Sequence, residues 1–213
     1  LISVSRYLFD RKLHSLGWHY LYKAEEIAIT NEQFDLMNSI YHLQIEHSQT
    51  DGSGDLKTII KKRIANKKYA DEDERAIIAY SIIRQQLNEV ILEGKNLDFD
   101  YIIKKVLHEC DLENVITQRP KLLYNMVSIM RSATLAKKDF YRFEPFITGQ
   151  YKIVEQNHGF SISNHYYKLS MIYMIAHTLY RNRKFSGAMN HVNLLWEEMN
   201  AFNKTHFAAF YVK

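Results

Sequence analysis

Apolar side chains recur at spacings of three and four along almost the whole chain, and the runs are separated by turns only two or three residues long. Leu21, Ala24 and Ala28 form one stripe. Phe34, Met37, Tyr41 and Ile45 form the next, with the polar pair Thr30-Asn31 near the break between them. A period near 3.6 puts such residues on one face of an α-helix. Turns this short force consecutive helices to lie antiparallel. Helix pairs in series can bury their apolar faces only against the next pair, which is the condition for a solenoid. The chain has only 7 Gly and 2 Pro in 213 residues, whereas open β architectures draw heavily on both for turns. The fold class expected is all-α, with antiparallel helix pairs stacked as an α-solenoid; a non-repetitive helical bundle is the alternative.

The pattern predicts helices over 16–29 and 32–48. Asp51-Gly52-Ser53-Gly54-Asp55 is the clearest punctuation. It reads as a linker, and 49–55 is a sub-boundary within a single helical-repeat domain spanning 1–213. A helix over 55–66 would turn Leu56, Ile59, Ile60 and Ile64 inward. A separate helix would begin at Asp71-Glu72-Asp73-Glu74, acidic residues suited to a positive helix N-terminus. It would run through Ala76, Tyr80, Ile83, Leu87 and Val90 to a C′ glycine at Gly94. A shorter helix follows over 98–110, through Tyr101, Ile102, Val106 and Leu107. Pro120 fits a first helical turn, opening a helix that buries Leu123, Val127, Met130 and Leu135. After a turn at 137–139 comes a segment carrying Phe143, Ile147, Tyr151 and Val154, in which Pro145 should kink or start the helix. That segment ends at Asn157-His158-Gly159. Helices over 163–182 and 185–201 flank the turn Arg183-Lys184, and a last apolar piece spans 207–212.

Between Leu169 and Phe202 the residues Ile172, Ile175, Ala176, Leu179, Phe185, Ala188, Val192 and Leu195 resemble the tetratricopeptide repeat. Ala176 and Ala188 stand where that family places small residues at a close helix crossing, since large side chains there would separate the helices. Leu21, Ala24, Ala28 and Phe34 follow the same order, with Glu25 and Met37 at the small positions. Val127, Met130 and Phe140 do so with Arg131 and Phe143 there. Phe140 and Phe185 are 45 residues apart, longer than the repeat's ~34. The resemblance implies a divergent, right-handed tetratricopeptide-like stack whose first helices line a concave face. On that alignment Tyr173, Met174, His177, Tyr180 and Arg181 would face the groove in one unit, and His19, Tyr22, Lys23 and Glu26 in another. Side chains that combine apolar area with polar tips suit peptide recognition.

Other chemistry finds little support. The ten histidines include no pair at i,i+4 on a helix, since His14/His19 and His42/His47 are five apart. Glu155-Gln156-Asn157-His158 matches a di-iron Glu-x-x-His unit, but no second copy occurs. Asp51 to Asp55 lacks the glycine and glutamate that a calcium loop needs, with Leu56 and Lys62 in their places. His108 and Cys110 point in different directions on a helix, and no Gly-rich phosphate loop is present. No catalytic, cofactor-binding or metal-ligating set is assigned. Lys57, Lys61, Lys62, Arg63, Lys67 and Lys68 form a basic stretch, which Asp71 to Glu74 would partly neutralise.

Net charge is +4, from 28 basic and 24 acidic side chains, weaker than a dedicated nucleic-acid domain carries. There is no apolar run of about eighteen residues to span a membrane. A lone cysteine, Cys110, excludes an internal disulfide and fits a reducing compartment, so a cytoplasmic location is expected. Asn203-Lys204-Thr205 forms a short sequon. The chain starts with Leu and ends on apolar residues, which reads as a fragment of a longer protein. The 205–212 segment would be a half-pair open to self-association. The expectation is a non-enzymatic protein- or peptide-binding scaffold. The alternative is a nucleic-acid-binding or regulatory helical repeat that uses the basic 57–68 face.

Overall fold

The computed structural model describes residues 1–93, 98–157, 159–161, 164–201 and 203–205. In chain order these form α1 (Ile2–Asp10), α2 (His14–Thr30), α3 (Phe34–Glu46), α4 (Leu56–Leu92), α5 (Phe99–Glu109), α6 (Pro120–Lys137), α7 (Phe140–Gln156), α8 (His165–Arg181) and α9 (Phe185–Glu198). Among the described residues there is no strand, and no helix is long and apolar enough to cross a membrane. The protein is all-α. The expected C′ role of Gly94, the start at Ser163, Phe202 and the 207–212 segment lie outside the described residues.

Side chains that satisfy the first free N–H groups set two of the helix starts. Asp55 Oδ2 accepts from the Thr58 N–H (2.9 Å) and hydroxyl (2.6 Å) ahead of α4, and Asp98 Oδ1 accepts from the Tyr101 N–H (3.0 Å) ahead of α5. Pro120 opens α6. Pro145 falls inside α7, which starts at Phe140, so the 137–139 turn and not the proline begins that helix.

Among the described residues five turns place a non-glycine residue at positive φ: Lys12, Glu32, Asp111, Lys138 and Arg183. At four of them the same two hydrogen bonds close the preceding helix. At Arg183, for example, the Arg183 N–H donates to Tyr180 O (3.0 Å) and the Lys184 N–H to Leu179 O (2.9 Å). This pairing satisfies carbonyls at the helix end. It offsets a left-handed conformation that costs about 1–2 kcal/mol without glycine.

The pattern predicted two helices where α4 is one. Nothing between Asn66 and Asp71 breaks a helix, since Lys67, Lys68 and Ala70 all favour one. Lys68 also approaches Glu72 one turn on, at 3.9 Å. The chain divides into two compact units, Leu1–Glu74 and Arg75–Lys213, and the division falls inside α4.

In the first unit α2 packs against α1 and α3. The core holds Phe9, Trp18, Leu21, Ala24, Met37, Ile40, Tyr41, Leu43 and Ile59. Residues 49–55, read as a linker and sub-boundary, lie within this unit and are tied to α2. Trp18 Nε1 donates to Thr50 Oγ1 (3.0 Å) and the Tyr22 hydroxyl to Gly52 O (3.3 Å). Ile60 and Ile64, expected inward, are exposed. The inward face of α4 instead passes through Ile59, Asn66 and Ala70. Lys62 reaches Glu25, and Asn66 Nδ2 donates to Phe34 O and Asn38 Oδ1.

In the second unit α8 packs against α7, α9 and α6. Helix α6 also meets α7, and α5 meets α7. Phe143, Ile147, Tyr151 and Val154 are all buried, as are Ala176 and Ala188. Leu135 and Tyr101, expected in the core, are exposed.

Candidate functional site

Helix α8 buries most of its surface. Leu169, Met171, Ile172, Ile175, Ala176 and Leu179 are all in the core or against it. The stripe left open runs through Tyr173, His177, Tyr180 and Arg181, which share one face at i,i+4 and i,i+3 spacing. Tyr173 and His177 are half-buried, while Tyr180 and Arg181 are exposed. Met174, also expected to face a groove, is buried in the core. One residue on from Tyr173 is a rotation of about 100°, which turns it inward.

Residues from α6 and α7 complete the cluster. The Arg131 guanidinium lies 5.6 Å from the centre of the Tyr173 ring, and that of Arg181 lies 5.0 Å from the centre of Phe140. The His177 ring stacks at 6.4 Å on Tyr173 and meets Phe140 edge-on at 5.7 Å. Three rings therefore lie in series between two cations, in the order Arg131, Tyr173, His177, Phe140, Arg181. Burial holds His177 below its ordinary pKa, and the charges of Arg131 and Arg181 push it the same way. His177 Nδ1 and Arg131 Nε are enclosed and make no hydrogen bond within the protein. The arrangement keeps a neutral imidazole between two cations.

A cleft of about 700 Å³ opens between α4 and α6. Its lining includes Arg84 and Asn88 from α4, and Tyr124, Asn125, Ser128 and Ser132 from α6. Tyr80 fixes one wall, its hydroxyl donating to Leu122 O at 2.7 Å. The recurrent apolar spacing gave no signal for this cleft, because its polar lining borders the tracked stripe, which itself supplies Tyr80 and Leu87.

In the other unit His19, Tyr22, Lys23 and Glu26 are exposed on α2. They do not form an equivalent cluster. Tyr22 packs at a tilt against Trp18 with centroids 5.4 Å apart and holds Gly52, so it serves the 49–55 turn. Its phenol is raised by burial and by the Glu25 charge. Beneath it lies a network that the pattern missed. Glu25 is buried and receives Gln44 Nε2 and Lys62 Nζ, both at 2.7 Å.

Several sequence features have structural roles. Asp55 caps α4, and Glu155 accepts from the Tyr151 hydroxyl at 3.1 Å, while His158 lies outside the described residues. Cys110 is half-buried, its thiol pushed up by burial and by Glu109. Asn203, the acceptor of the sequon, is buried. In the basic stretch Lys62 is paired with Glu25, and Lys68 is near Glu72. Among the described residues no group of three or more His, Cys, Asp and Glu could hold a metal ion. No family model, no curated protein and no solved structure matches the chain.

Proposed function

We propose that the protein is a non-enzymatic, peptide-binding helical scaffold whose binding face is the open stripe of α8 together with the adjoining face of α6. The observation that carries this reading is the Tyr173–His177–Tyr180–Arg181 stripe, left open on a helix whose other faces are packed. Tyrosine and arginine supply contact area and polar tips together, the combination enriched where protein surfaces bind. The packing order in the second unit supports a tetratricopeptide-like reading of α6–α9 as stacked antiparallel helices. Each of α7 to α9 meets its predecessor, and α6 also meets α8 as α5 meets α7. Buried Ala176 and Ala188 suit close helix crossings.

A basic-face, nucleic-acid reading is weaker, because Glu25 and Glu72 already attend two of the six cations between Lys57 and Lys68. A displayed library of random dodecapeptides tests the proposal, with bound peptides located by amide hydrogen exchange. Protection along α6 and α8, lost on Tyr180→Ala/Tyr173→Ala, is expected. Failure to select any peptide, or binding located only elsewhere, would overturn it.

A further inference from the structure

We propose that the Arg131–His177–Arg181 cluster is a carboxylate-binding subsite, and that the peptide it takes is acidic with an apolar side chain next to the carboxylate. This rests on the peptide-binding reading above. The first argument is local charge. Near the turn into α7, Asp139 lies 3.5 Å from Arg142. Both Glu144 oxygens are occupied at 2.7 Å, Oε1 by Lys184 Nζ and Oε2 by Asn182 Nδ2. Each of these acids already has a cation. Among the described residues, no carboxylate lies within ion-pair distance of Arg131 or Arg181.

The second argument is geometry. Both guanidinium groups rest on ring faces, Arg131 on Tyr173 and Arg181 on Phe140. Stacking leaves the N–H edges of a guanidinium free to donate in its plane, where a carboxylate can take two hydrogen bonds at once. His177 between them stays neutral and adds no third charge to the face. Its Nδ1 and the Arg131 Nε are enclosed without internal partners.

The third argument concerns what lies beside Arg181. The exposed rings of Tyr180 and Phe185 meet edge-on at 5.7 Å. They form an apolar step next to the cation, suited to a side chain flanking the acid. A phosphodiester backbone would call for a longer row of cations, since its binding strength scales with the number of phosphates neutralised.

The test uses peptides that select onto the α6/α8 face and their uncharged isosteres, with Glu→Gln, Asp→Asn and an amidated C-terminus. On the wild-type protein the isosteres should bind about tenfold or more weakly, and the His177 ring titration followed by NMR should move upward when the acidic peptide binds. On Arg131→Gln/Arg181→Gln the acidic and neutral versions should bind within about twofold of each other. If that double variant does not fold, Arg181→Gln alone, at an exposed position, carries the comparison with the wild-type arm. Isosteres that bind the wild type as tightly as the acidic peptides would overturn the subsite while leaving peptide binding intact. Absence of any peptide on this face would remove both. Single-stranded oligonucleotides that bind the wild type, lose binding on the double variant and displace the selected peptides would also overturn it, in favour of a phosphate ligand.

Discussion

Lys62 Nζ lies 2.7 Å from Oε1 of Glu25, a carboxylate whose side chain is only 7% exposed while that of Lys62 is 49% exposed. The pair joins α4 to α2, and Gln44 from α3 holds the other oxygen. Tyr41 responds to the same charge. Burial, then the Glu25 charge and a hydrogen bond to Glu25, push its phenol up to about 12.

Removing one partner should therefore cost more than removing both. Lys62→Met leaves a buried carboxylate with Gln44 as its main donor and should destabilise the first unit by about 2 kcal/mol, less than a fully buried pair because Lys62 is half in water. Glu25→Leu/Lys62→Met should recover most of that loss. Urea denaturation followed by Trp18 fluorescence in a Trp196→Phe background reads the unit directly. A double variant no more stable than Lys62→Met would show that the pair does not act as a unit.

Asn182 repeats on α7 and α8 the device that Asn66 performs on α3 and α4. Each donates Nδ2 to the backbone carbonyl of a helix-opening phenylalanine, Asn182 to Phe140 O at 3.1 Å and Asn66 to Phe34 O at 2.8 Å. Asn182→Ala should destabilise by about 1–2 kcal/mol near neutral pH, since it removes the second donor to the Phe140 carbonyl and one of the donors to Glu144. Burial alone would raise the Glu144 carboxyl, but hydrogen bonds from Lys184 and Asn182 and the Lys184 charge bring it below its ordinary value. A lowered carboxyl contributes stability above its unfolded pKa and loses it as pH falls through the folded one. The gap between wild type and Asn182→Ala should thus shrink below about pH 4.5. Urea midpoints compared at neutral and acid pH check this, and a gap that widens in acid would contradict it.

The helical class was legible because burial in most segments follows the apolar period, as at Phe143, Ile147, Tyr151 and Val154. It misled where polar side chains occupy the buried face. Asn66 is buried on α4 and Lys62 reaches from its exposed flank to Glu25, so Ile60 and Ile64, expected inward, stand on the outer side. The acidic run at 71–74 resembled a helix start, yet α4 continues through it because no breaker precedes it. Arg131 stood in the pattern as an oversized residue at a small position. Its role depends on where Tyr173 of α8 comes to rest, a relationship between distant segments that local spacing cannot carry.

His177 should make the second unit acid-sensitive. Its pKa in the folded protein is lowered, by burial first and then by Arg131 and Arg181. As pH falls below the ordinary value of about 6.5, the unfolded chain takes up a proton before the folded one does. Stability drops across that window down to the folded pKa. Arg181→Gln should raise the His177 pKa and narrow the window, and His177→Phe should remove its contribution. Ring titration by NMR and thermal melts between about pH 7 and pH 5 measure the two effects. A His177 pKa unchanged in Arg181→Gln would mean that the arginine field is screened.

Two glycines should respond to alanine with opposite signs. Gly52 sits at φ +89° in the 49–55 turn, and a Cβ there would meet Trp18 Cδ1 at 3.3 Å. The turn has little room to yield, because Thr50 is bonded to the Trp18 indole and the Gly52 carbonyl to Tyr22. Gly52→Ala should destabilise by about 1–2 kcal/mol, the cost of a left-handed alanine, and should red-shift Trp18 emission as the turn lifts. Gly149 lies inside α7, and a Cβ there would meet nothing within 4 Å. Gly149→Ala removes backbone freedom from the unfolded chain without a clash, so it should stabilise by about 0.5–1 kcal/mol. Urea denaturation of both variants, with Trp18 reporting on the first and helical ellipticity on the second, checks the pair. A neutral Gly52→Ala would show that the turn adapts to the side chain, and that the ties from Trp18 and Tyr22 do not hold its backbone in place.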